Sequence, residues 1–123
     1  MENQAIDKTE VINLTKFKVT RELEEFGVRD IASWKEFQEI RNLLFFPVTP
    51  NKDVIAQRVE RLAEIALKES QKTGRTSVLV SCPPWMTFSL CKELVYHNLK
   101  PVVSFTKKND SEGLSVVSLV AAA

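Results

Sequence analysis

Glycine is scarce in this chain, which has only three glycines in 123 residues. Dinucleotide-binding domains need a Gly-x-Gly-x-x-Gly turn, and Walker-type phosphate loops need glycines at fixed positions before a lysine. Too few glycines are present for either motif to be hidden, and neither is found. The shortage therefore excludes both glycine-rich phosphate loops, and any nucleotide site must be built in another way.

Metal-ligating and disulfide-forming residues are also few. The chain has two cysteines, Cys82 and Cys91, and one histidine, His97, without a paired-cysteine motif. A structural zinc site needs four such ligands in tetrahedral geometry. We therefore expect no metal site and no cofactor.

Charge of one sign and long apolar runs are lacking as well. The formal net charge is +1, whereas general nucleic-acid binders usually carry a strong basic excess, so we expect no long nucleic acid as partner. No apolar run approaches membrane-spanning length, and the polar start MENQAIDKTE does not resemble a signal peptide. We expect a cytoplasmic protein without a membrane partner.

The composition that is present suits one globular domain, with 44% hydrophobic and 27% charged residues. A chain of this length can bury a core without disulfides or metals. We expect residues 1–9 to be a flexible N-terminus and residues 10–120 to form a single domain.

The stretch from Ser77 to Lys108 predicts a strand, a helix and a second strand. Apolar residues 78–80 stop at Pro83-Pro84, which cannot continue a central strand but suit the first turn of a helix. Asn98 can end that helix in the left-handed conformation. A strand restarts at 101–105, and the helical crossover makes the two strands parallel.

The rest of the chain alternates in the same way. Ser33 and Glu36 form a capping-box pattern, and Thr49-Pro50 predicts the start of the longest helix. The other expected elements are a strand at 11–14, helices at 21–26, 34–44 and about 50–71, a short strand at 28–31, a turn at 109–113 and a final strand at 114–120.

This order indicates an α/β fold. We predict a compact Rossmann-like three-layer sandwich whose sheet is mostly parallel, with a C-terminal antiparallel hairpin strand. In such sheets ligands bind at the carboxyl ends of the strands. Two segments are expected there, the turn 81–87 and the segment 106–108.

The turn 81–87 can be interpreted in two ways. Free N–H groups at the helix start attract phosphate, Ser81 and Thr87 add hydroxyls, and Trp85 could stack on a base. Equally, this is a plain turn whose Trp85 fills the core or a dimer contact. We interpret Cys82 as an inert, buried cysteine, because a phosphatase-type loop needs an arginine that is absent from this turn.

The remaining polar candidates also carry two interpretations. Lys107 and Lys108, beside Thr106, could neutralise phosphates or form a solvated hairpin end. Asn13 and Thr15 end the first strand, where they could line the same cleft or merely satisfy the turn. His97 is interpreted as a capping or surface histidine, because no catalytic partner is identifiable.

Several segments together resemble a known family. Val11-Ile12-Asn13-Leu14-Thr15, followed by Val19-Thr20, matches an N-terminal strand with a polar turn and a Thr-capped helix. The segments 78–84 and 98–108, VLVSCPP and NLKPVVSFTKK, match a ligand-side turn and a strand that ends in Ser/Thr and a basic residue. These features resemble small CRISPR-associated proteins of the ring-nuclease type, Rossmann-like relatives of cyclic-oligoadenylate sensors.

The resemblance implies a homodimer that binds cyclic tetra-adenylate or a related ring. It also implies metal-independent cleavage, in which a ribose 2′-hydroxyl attacks the adjacent phosphate while the protein positions the ring and stabilises charge. The expected catalytic residues are Lys107 and Lys108. The expected ligand-binding residues are Asn13, Thr15, Ser81, Cys82, Trp85, Met86, Thr87 and Thr106.

Two positions depart from the family pattern. Phe17 stands where relatives often carry a histidine, and Cys82-Pro83-Pro84 replaces a common glycine. Binding without cleavage, by a sensor or sponge, therefore stays open. A third alternative is a small protein-interaction module that uses Trp34 and the apolar segment 43–46.

Overall fold

A computed structural model describes residues 10–109 and 113–122. They form a five-stranded sheet in the order β2-β1-β3-β4-β5. The strands are β1 (Val11–Leu14), β2 (Val28–Arg29), β3 (Ser77–Val80), β4 (Lys100–Asn109) and β5 (Gly113–Ala121). The predicted flexible N-terminus and the centre of the predicted turn at 109–113 lie outside the described residues.

The sheet is mixed. Strand β1 pairs in parallel with both β2 and β3, β3 pairs in parallel with β4, and β4 pairs with β5 in antiparallel orientation. This confirms an α/β fold with a mostly parallel sheet and a C-terminal antiparallel hairpin strand. Leu14 lies beside Val80 in the register, so β1 and β3 end level with each other.

In the described part of the chain, four helices connect or flank these strands: α1 (Arg21–Glu24), α2 (Trp34–Leu43), α3 (Lys52–Thr73) and α4 (Pro84–Tyr96). Their ends follow local chemistry. The hydroxyl of Ser33 accepts a hydrogen bond from the Glu36 N–H at 3.2 Å, as the capping pattern predicted. Asn98, with φ of 64°, and Gly74, with φ of 82°, adopt the left-handed conformation just after α4 and α3.

The start of α3 differs from the prediction. Asn51, rather than Thr49, is the capping residue, and its side chain accepts from the Val54 N–H at 2.9 Å. Pro50 therefore precedes the cap instead of occupying the first helical position. Thr49 and Asn51 are both good caps, and the sequence pattern alone did not separate them.

The two faces of the sheet are covered unequally. Alternate residues of β1 and β3 pack on one face against α2, α3 and α4, where Ile40, Leu62 and Leu90 are fully buried. The opposite face of the sheet holds a smaller apolar cluster. Partly buried residues, including one on the one-turn helix α1, pack against it. That cluster contains Val11, Val28, Leu79 and Val102, with Val19, Leu23 and Leu119 against it.

Strand β4 is longer than predicted. Its pairing with β3 extends only to Val102, opposite Leu79, but its pairing with β5 continues to Asn109. The strand was expected to stop at Phe105; instead, the register shifts between Phe105 and Thr106 and the hairpin continues. Because β5 satisfies one side of the β4 backbone, β4 extends past its pairing with β3 although its residues 106–109 are polar.

Candidate functional site at the carboxyl edge of the sheet

The strand order creates a point where chain connections diverge. From β1 the chain goes to β2 on one side, and it later returns to β3 on the other side of β1. In open α/β sheets, ligands bind at the carboxyl ends of the strands at such a point. Thr15 and Ser81, which follow the paired residues Leu14 and Val80, both lie at this edge.

A small pocket lies at the end of β3, with a volume of about 200 Å³. The Cys82 thiol lies 3.3 Å from the Thr87 hydroxyl, which also donates to the Pro83 carbonyl at 3.2 Å. The pocket, here called the hydroxyl pocket, is lined by Val80, Ser81, Cys82, Thr87, Val103 and Ser104. The structure thus brings Ser81, Cys82 and Thr87 together, but among these described lining residues none is cationic.

Cys82 is half-buried in this pocket, and burial raises the pKa of its thiol above the ordinary value, while the bond to Thr87 lowers it in part. Burial likewise raises the pKa of the Cys91 thiol, which lies on the inner face of α4. Both sulfurs are therefore protonated at neutral pH, so neither is an activated nucleophile. This agrees with the interpretation of Cys82 as an inert cysteine.

The side chains of Asn13 and Thr15 form hydrogen bonds with each other and with the turn after β1. The buried Asn13 amide donates to the Phe17 carbonyl at 2.7 Å and to Asp30 Oδ1 at 2.9 Å. Its oxygen accepts from the backbone N–H and the hydroxyl of Thr15 at 3.2 and 2.7 Å. Of the two interpretations above, satisfaction of the turn is therefore the one that fits these contacts.

Trp85 and Met86 differ in burial on α4, and neither lines the hydroxyl pocket. Met86 is fully buried in the main core, which corrects the expectation that it contacts a ligand. Trp85 is 54% exposed and meets the edge of Phe46, with ring centroids 5.7 Å apart. It lines a groove between α3 and α4, so the structure does not bring it together with Ser81, Cys82 and Thr87 in the hydroxyl pocket.

The residues Thr106, Lys107 and Lys108 are exposed on the β4–β5 ribbon. Lys107 lies opposite Ser115 and Lys108 opposite Leu114. None of the three lines the hydroxyl pocket or the cleft described next. Because β4 continues beyond Phe105, these residues are part of a strand and not of a loop at the sheet edge, which corrects that expectation.

Sequence reasoning missed a second cleft beside the end of β1. Its volume is about 470 Å³, and Lys16 and Arg41 supply positive charge while no described lining residue is acidic. Lys16 Nζ lies 5.5 Å from the Phe17 ring centroid. The cleft, here called the basic-aromatic cleft, is lined by Lys16, Phe17, Gln38, Arg41, Asn42 and Phe45.

The same chemistry continues next to this cleft. Lys18 Nζ lies 5.3 Å from the ring centroid of the exposed Trp34. Phe17 and Phe45 are each 64% exposed, so both rings remain largely accessible to solvent. The sequence does contain a signal for this cleft. Two cations, Lys16 and Lys18, flank the aromatic Phe17 shortly after the first strand.

Three further expectations concern His97, metal ligands and membrane-spanning segments. His97 Nε2 lies 3.3 Å from Glu93 Oε2 on the same helix, as suits a histidine at a helix end. Within residues 10–109 and 113–122, no group of three or more His, Cys, Asp or Glu is placed to hold a metal ion. In the same part of the chain, no helix is long and apolar enough to cross a membrane.

Comparisons of the chain with protein-family models, curated proteins and solved structures found no match.

Proposed function

We propose that this domain is Rossmann-like and binds an anionic ligand that carries nucleobases, of the cyclic oligoadenylate class, at the carboxyl edge of its sheet. The observation that carries the proposal is the basic-aromatic cleft beside the end of β1, next to the divergence point of the strand order. The ligand class comes from the family resemblance.

The cleft offers the contacts that such a ligand needs. Base faces stack on exposed aromatic rings, here Phe17 and Phe45, without requiring a particular base. Lys16 and Arg41 can neutralise phosphates, Lys16 as a point charge and Arg41 through its planar fork. The side-chain amides of Gln38 and Asn42 can donate to and accept from base edges. Together these groups support binding despite the small net charge of the chain.

The proposal includes metal-independent cleavage of the ring. The ribose 2′-oxygen gives up its proton to water as it attacks the adjacent phosphorus, and the 5′-oxygen leaves and takes a proton from water, which gives a 2′,3′-cyclic phosphate at one end and a 5′-hydroxyl at the other. The protein needs only to hold the ring in line and stabilise the developing charge. Since Lys107 and Lys108 lie on the ribbon outside the cleft, we assign charge stabilisation to Lys16 and Arg41.

The test is incubation of the purified protein with cyclic tetra-adenylate or cyclic hexa-adenylate in EDTA, with retention and products followed by chromatography. Linear products would support a metal-independent ring nuclease. Tight retention without products would support a sensor or sponge and remove the cleavage step. Absence of both would refute the ligand class.

Matched variants locate the site. Lys16→Ala and Arg41→Ala should each lower retention and turnover, whereas Lys107→Ala, an exposed lysine on the ribbon, should leave both unchanged. Loss of turnover in Lys107→Ala with normal turnover in Arg41→Ala would return the catalytic role to the ribbon.

A protein-interaction module is the second candidate function. The segment 43–46 does not form one continuous contact surface, because Leu44 is buried and Phe46 is covered by Arg58, 4.4 Å from its ring centroid. Arg58 also donates to the Phe45 carbonyl at 2.6 Å, which holds the segment in place. The apolar surface that favours this function lies elsewhere, on α4.

A further inference from the structure

The basic-aromatic cleft lies at one end of a longer row of side chains. Gln38 and Arg41 of α2, together with Phe45 just after the helix, line the cleft. Trp34 precedes Gln38 by one helical turn, so the four positions follow each other at spacings of four, three and four residues, which are typical of one helix face. Trp34 therefore continues the lining of the cleft along α2. We call these four residues the α2 row.

The indole of Trp34 is both exposed and held in place. It is 58% exposed, and it packs against the buried ring of Phe37, with the ring centroids 5.4 Å apart. Lys18 Nζ lies 5.3 Å from the indole centroid. A ring that is fixed by the core and accessible to solvent loses little side-chain entropy when a base stacks on it. Trp34 and Lys18 thus repeat, next to the cleft, the pairing of a ring with a cation found inside it.

Three acidic side chains near the α2 row are already paired. On α2 itself, Glu36 pairs with Lys68 at 3.0 Å and Glu39 pairs with Arg61 at 2.6 Å, and both of these cations belong to α3. Asp30 Oδ1 accepts hydrogen bonds from the strand β1 and from the turn that follows it. These carboxylates are therefore largely compensated by their own donors, and the cations of the row and of the facing turn attract anions.

The α2 row is too long for one nucleotide. Trp34 and Phe45 are eleven residues apart, which is about 16 Å at the rise of an α-helix. One base cannot stack on both rings, whereas two bases of the same strand can, because each further nucleotide adds at least about 3.4 Å of length. A helix face is straight, so it follows a linear strand over several nucleotides, whereas a closed ring must turn away from it.

We propose that the α2 row binds a short linear strand of oligoadenylate over at least two nucleotides. One base stacks on Trp34 with Lys18 at its phosphate, and a second nucleotide occupies the basic-aromatic cleft. The flexible stem of Lys18 lets its ammonium turn from the indole to the phosphate. This inference rests on the base and phosphate chemistry of the proposed function, and it adds a nucleotide subsite and an open-chain ligand.

Tryptophan fluorescence reports directly on the added subsite. The chain has two tryptophans, so the variant Trp85→Phe leaves Trp34 as the single emitter. Linear tetra-adenylate should quench this emission in a saturable way, because a base lies against the indole, and AMP at equal adenine concentration should quench it less. In the reciprocal variant Trp34→Phe, the emission of Trp85 should not change. Absence of saturable Trp34 quenching by a strand that binds would overturn the subsite.

Anisotropy of fluorescein-labelled linear tetra-adenylate measures the affinity of the same contacts. Trp34→Ala should weaken binding about 5- to 150-fold, the loss of one stacked base. Lys18→Ala should reduce the slope of log affinity against log salt by about 0.7. Trp85→Ala and Lys107→Ala are the matched controls and should bind as wild type.

The two variants fail independently of each other. Trp34 packs on Phe37, so urea denaturation is used to check that Trp34→Ala is folded, whereas Lys18 is exposed and its removal leaves the core intact. If Trp34→Ala does not fold, the salt slope of Lys18→Ala decides. Wild-type affinity in folded Trp34→Ala, or a wild-type slope in Lys18→Ala, would overturn the proposal.

Comparison of linear with cyclic tetra-adenylate separates this inference from the proposed function. Binding of the strand without the ring would support the linear subsite and refute the ring as ligand. Binding of the ring without the strand would overturn this inference and leave the proposed function standing. Binding of neither would refute both, and binding of both supports both when the affinity for the strand depends on Trp34.

Discussion

Asn13 shows how a polar side chain at the candidate edge can shape the site without touching a ligand. Its amide joins the turn at Phe17 to Asp30, and Asp30 also accepts from the Val19 N–H at 3.1 Å. The turn that presents Lys16 and Phe17 therefore depends on one buried amide. At the residue scale, position in the hydrogen-bond network separates structural from ligand-facing side chains.

Asn13→Ala should destabilise the protein by about 1–3 kcal/mol, because it leaves buried donors and acceptors of the turn without partners. Urea denaturation followed by circular dichroism measures the change. Asn42→Ala, which removes an exposed amide from the basic-aromatic cleft, is the control and should leave the free energy of unfolding within about 0.5 kcal/mol of wild type. Equal stability of Asn13→Ala and wild type would show that the network is dispensable.

Phe17→Ala should weaken binding of a cyclic oligoadenylate by about 1–3 kcal/mol, the usual loss when one stacking ring is removed. Because the ring is largely exposed, the free energy of unfolding should hardly change. Fluorescence anisotropy with a labelled ring measures the affinity. Trp85→Ala removes an exposed aromatic outside the cleft and should bind as wild type; a loss there alone would move the stacking site to α4.

Cys82 should react slowly with iodoacetamide at pH 8, because its raised pKa leaves little thiolate at that pH. The rate should rise as the pH is increased towards and above that pKa. Mass spectrometry of a time course gives the rate, with free cysteine as the reference thiol. The variant Cys82→Ser isolates the reaction of Cys91; a rate at Cys82 faster than that of free cysteine would revive a nucleophilic role.

At the scale of elements, the two connecting helices α2 and α3 are joined by a bidentate ion pair. Arg61 donates from Nε to Glu39 Oε2 at 2.6 Å and from Nη2 to Glu39 Oε1 at 2.9 Å. The hydrogen bonds from Arg61 lower the pKa of the Glu39 carboxyl below its ordinary value. This pair, together with Arg58, positions the loop between α2 and α3, where Phe45 lines the cleft.

Glu39→Gln should cost about 0.2–1 kcal/mol at pH 7, since the pair is partly exposed and screened by solvent. A carboxyl whose pKa is lower in the folded state adds stability above its unfolded pKa, and loses it as the pH falls through the folded value. The difference between variant and wild type should therefore shrink below pH 4.5. Urea titrations at pH 7 and in that acidic range measure it, and an equal difference at both pH values would contradict the ion-pair explanation.

At the scale of the whole molecule, charged side chains are unevenly distributed over the surface. The net charge is +1, yet the lining of the basic-aromatic cleft has cations without described acids. Such a lining suits an anion. Bulk charge conceals the cleft, because acidic residues elsewhere in the chain offset its cations.

Binding of a cyclic oligoadenylate should weaken as salt rises, because each phosphate contact releases counterions. Lys16→Ala and Arg41→Ala should each reduce the slope of log affinity against log salt by about 0.7, the value for one contact to a single strand. Affinity measured at several salt concentrations gives the slopes, with Lys107→Ala as the control. An unchanged slope in both cleft variants would show that Lys16 and Arg41 do not contact the phosphates of the ligand.

Much of the fold could be predicted from the sequence. Ser33 with Glu36, and Asn98, mark helix ends through local hydrogen bonds and backbone conformation, and the structure confirms both sites. The strand–helix–strand pattern at 77–105 likewise predicted parallel pairing of β3 with β4. These features depend on neighbours in sequence, which is why they could be predicted without the fold.

Long-range packing decided the rest. The adjacent residues Trp85 and Met86 are both large and apolar, and only the placement of α4 on the sheet determines that Met86 is buried and Trp85 is not. The length of β4 depended on its partner β5, and the cleft required Lys16 and Arg41, distant in sequence, to meet. Sequence periodicity thus determined elements and the α/β class, whereas contacts between distant segments determined the site, because backbone pairing and burial are settled only when the elements pack together.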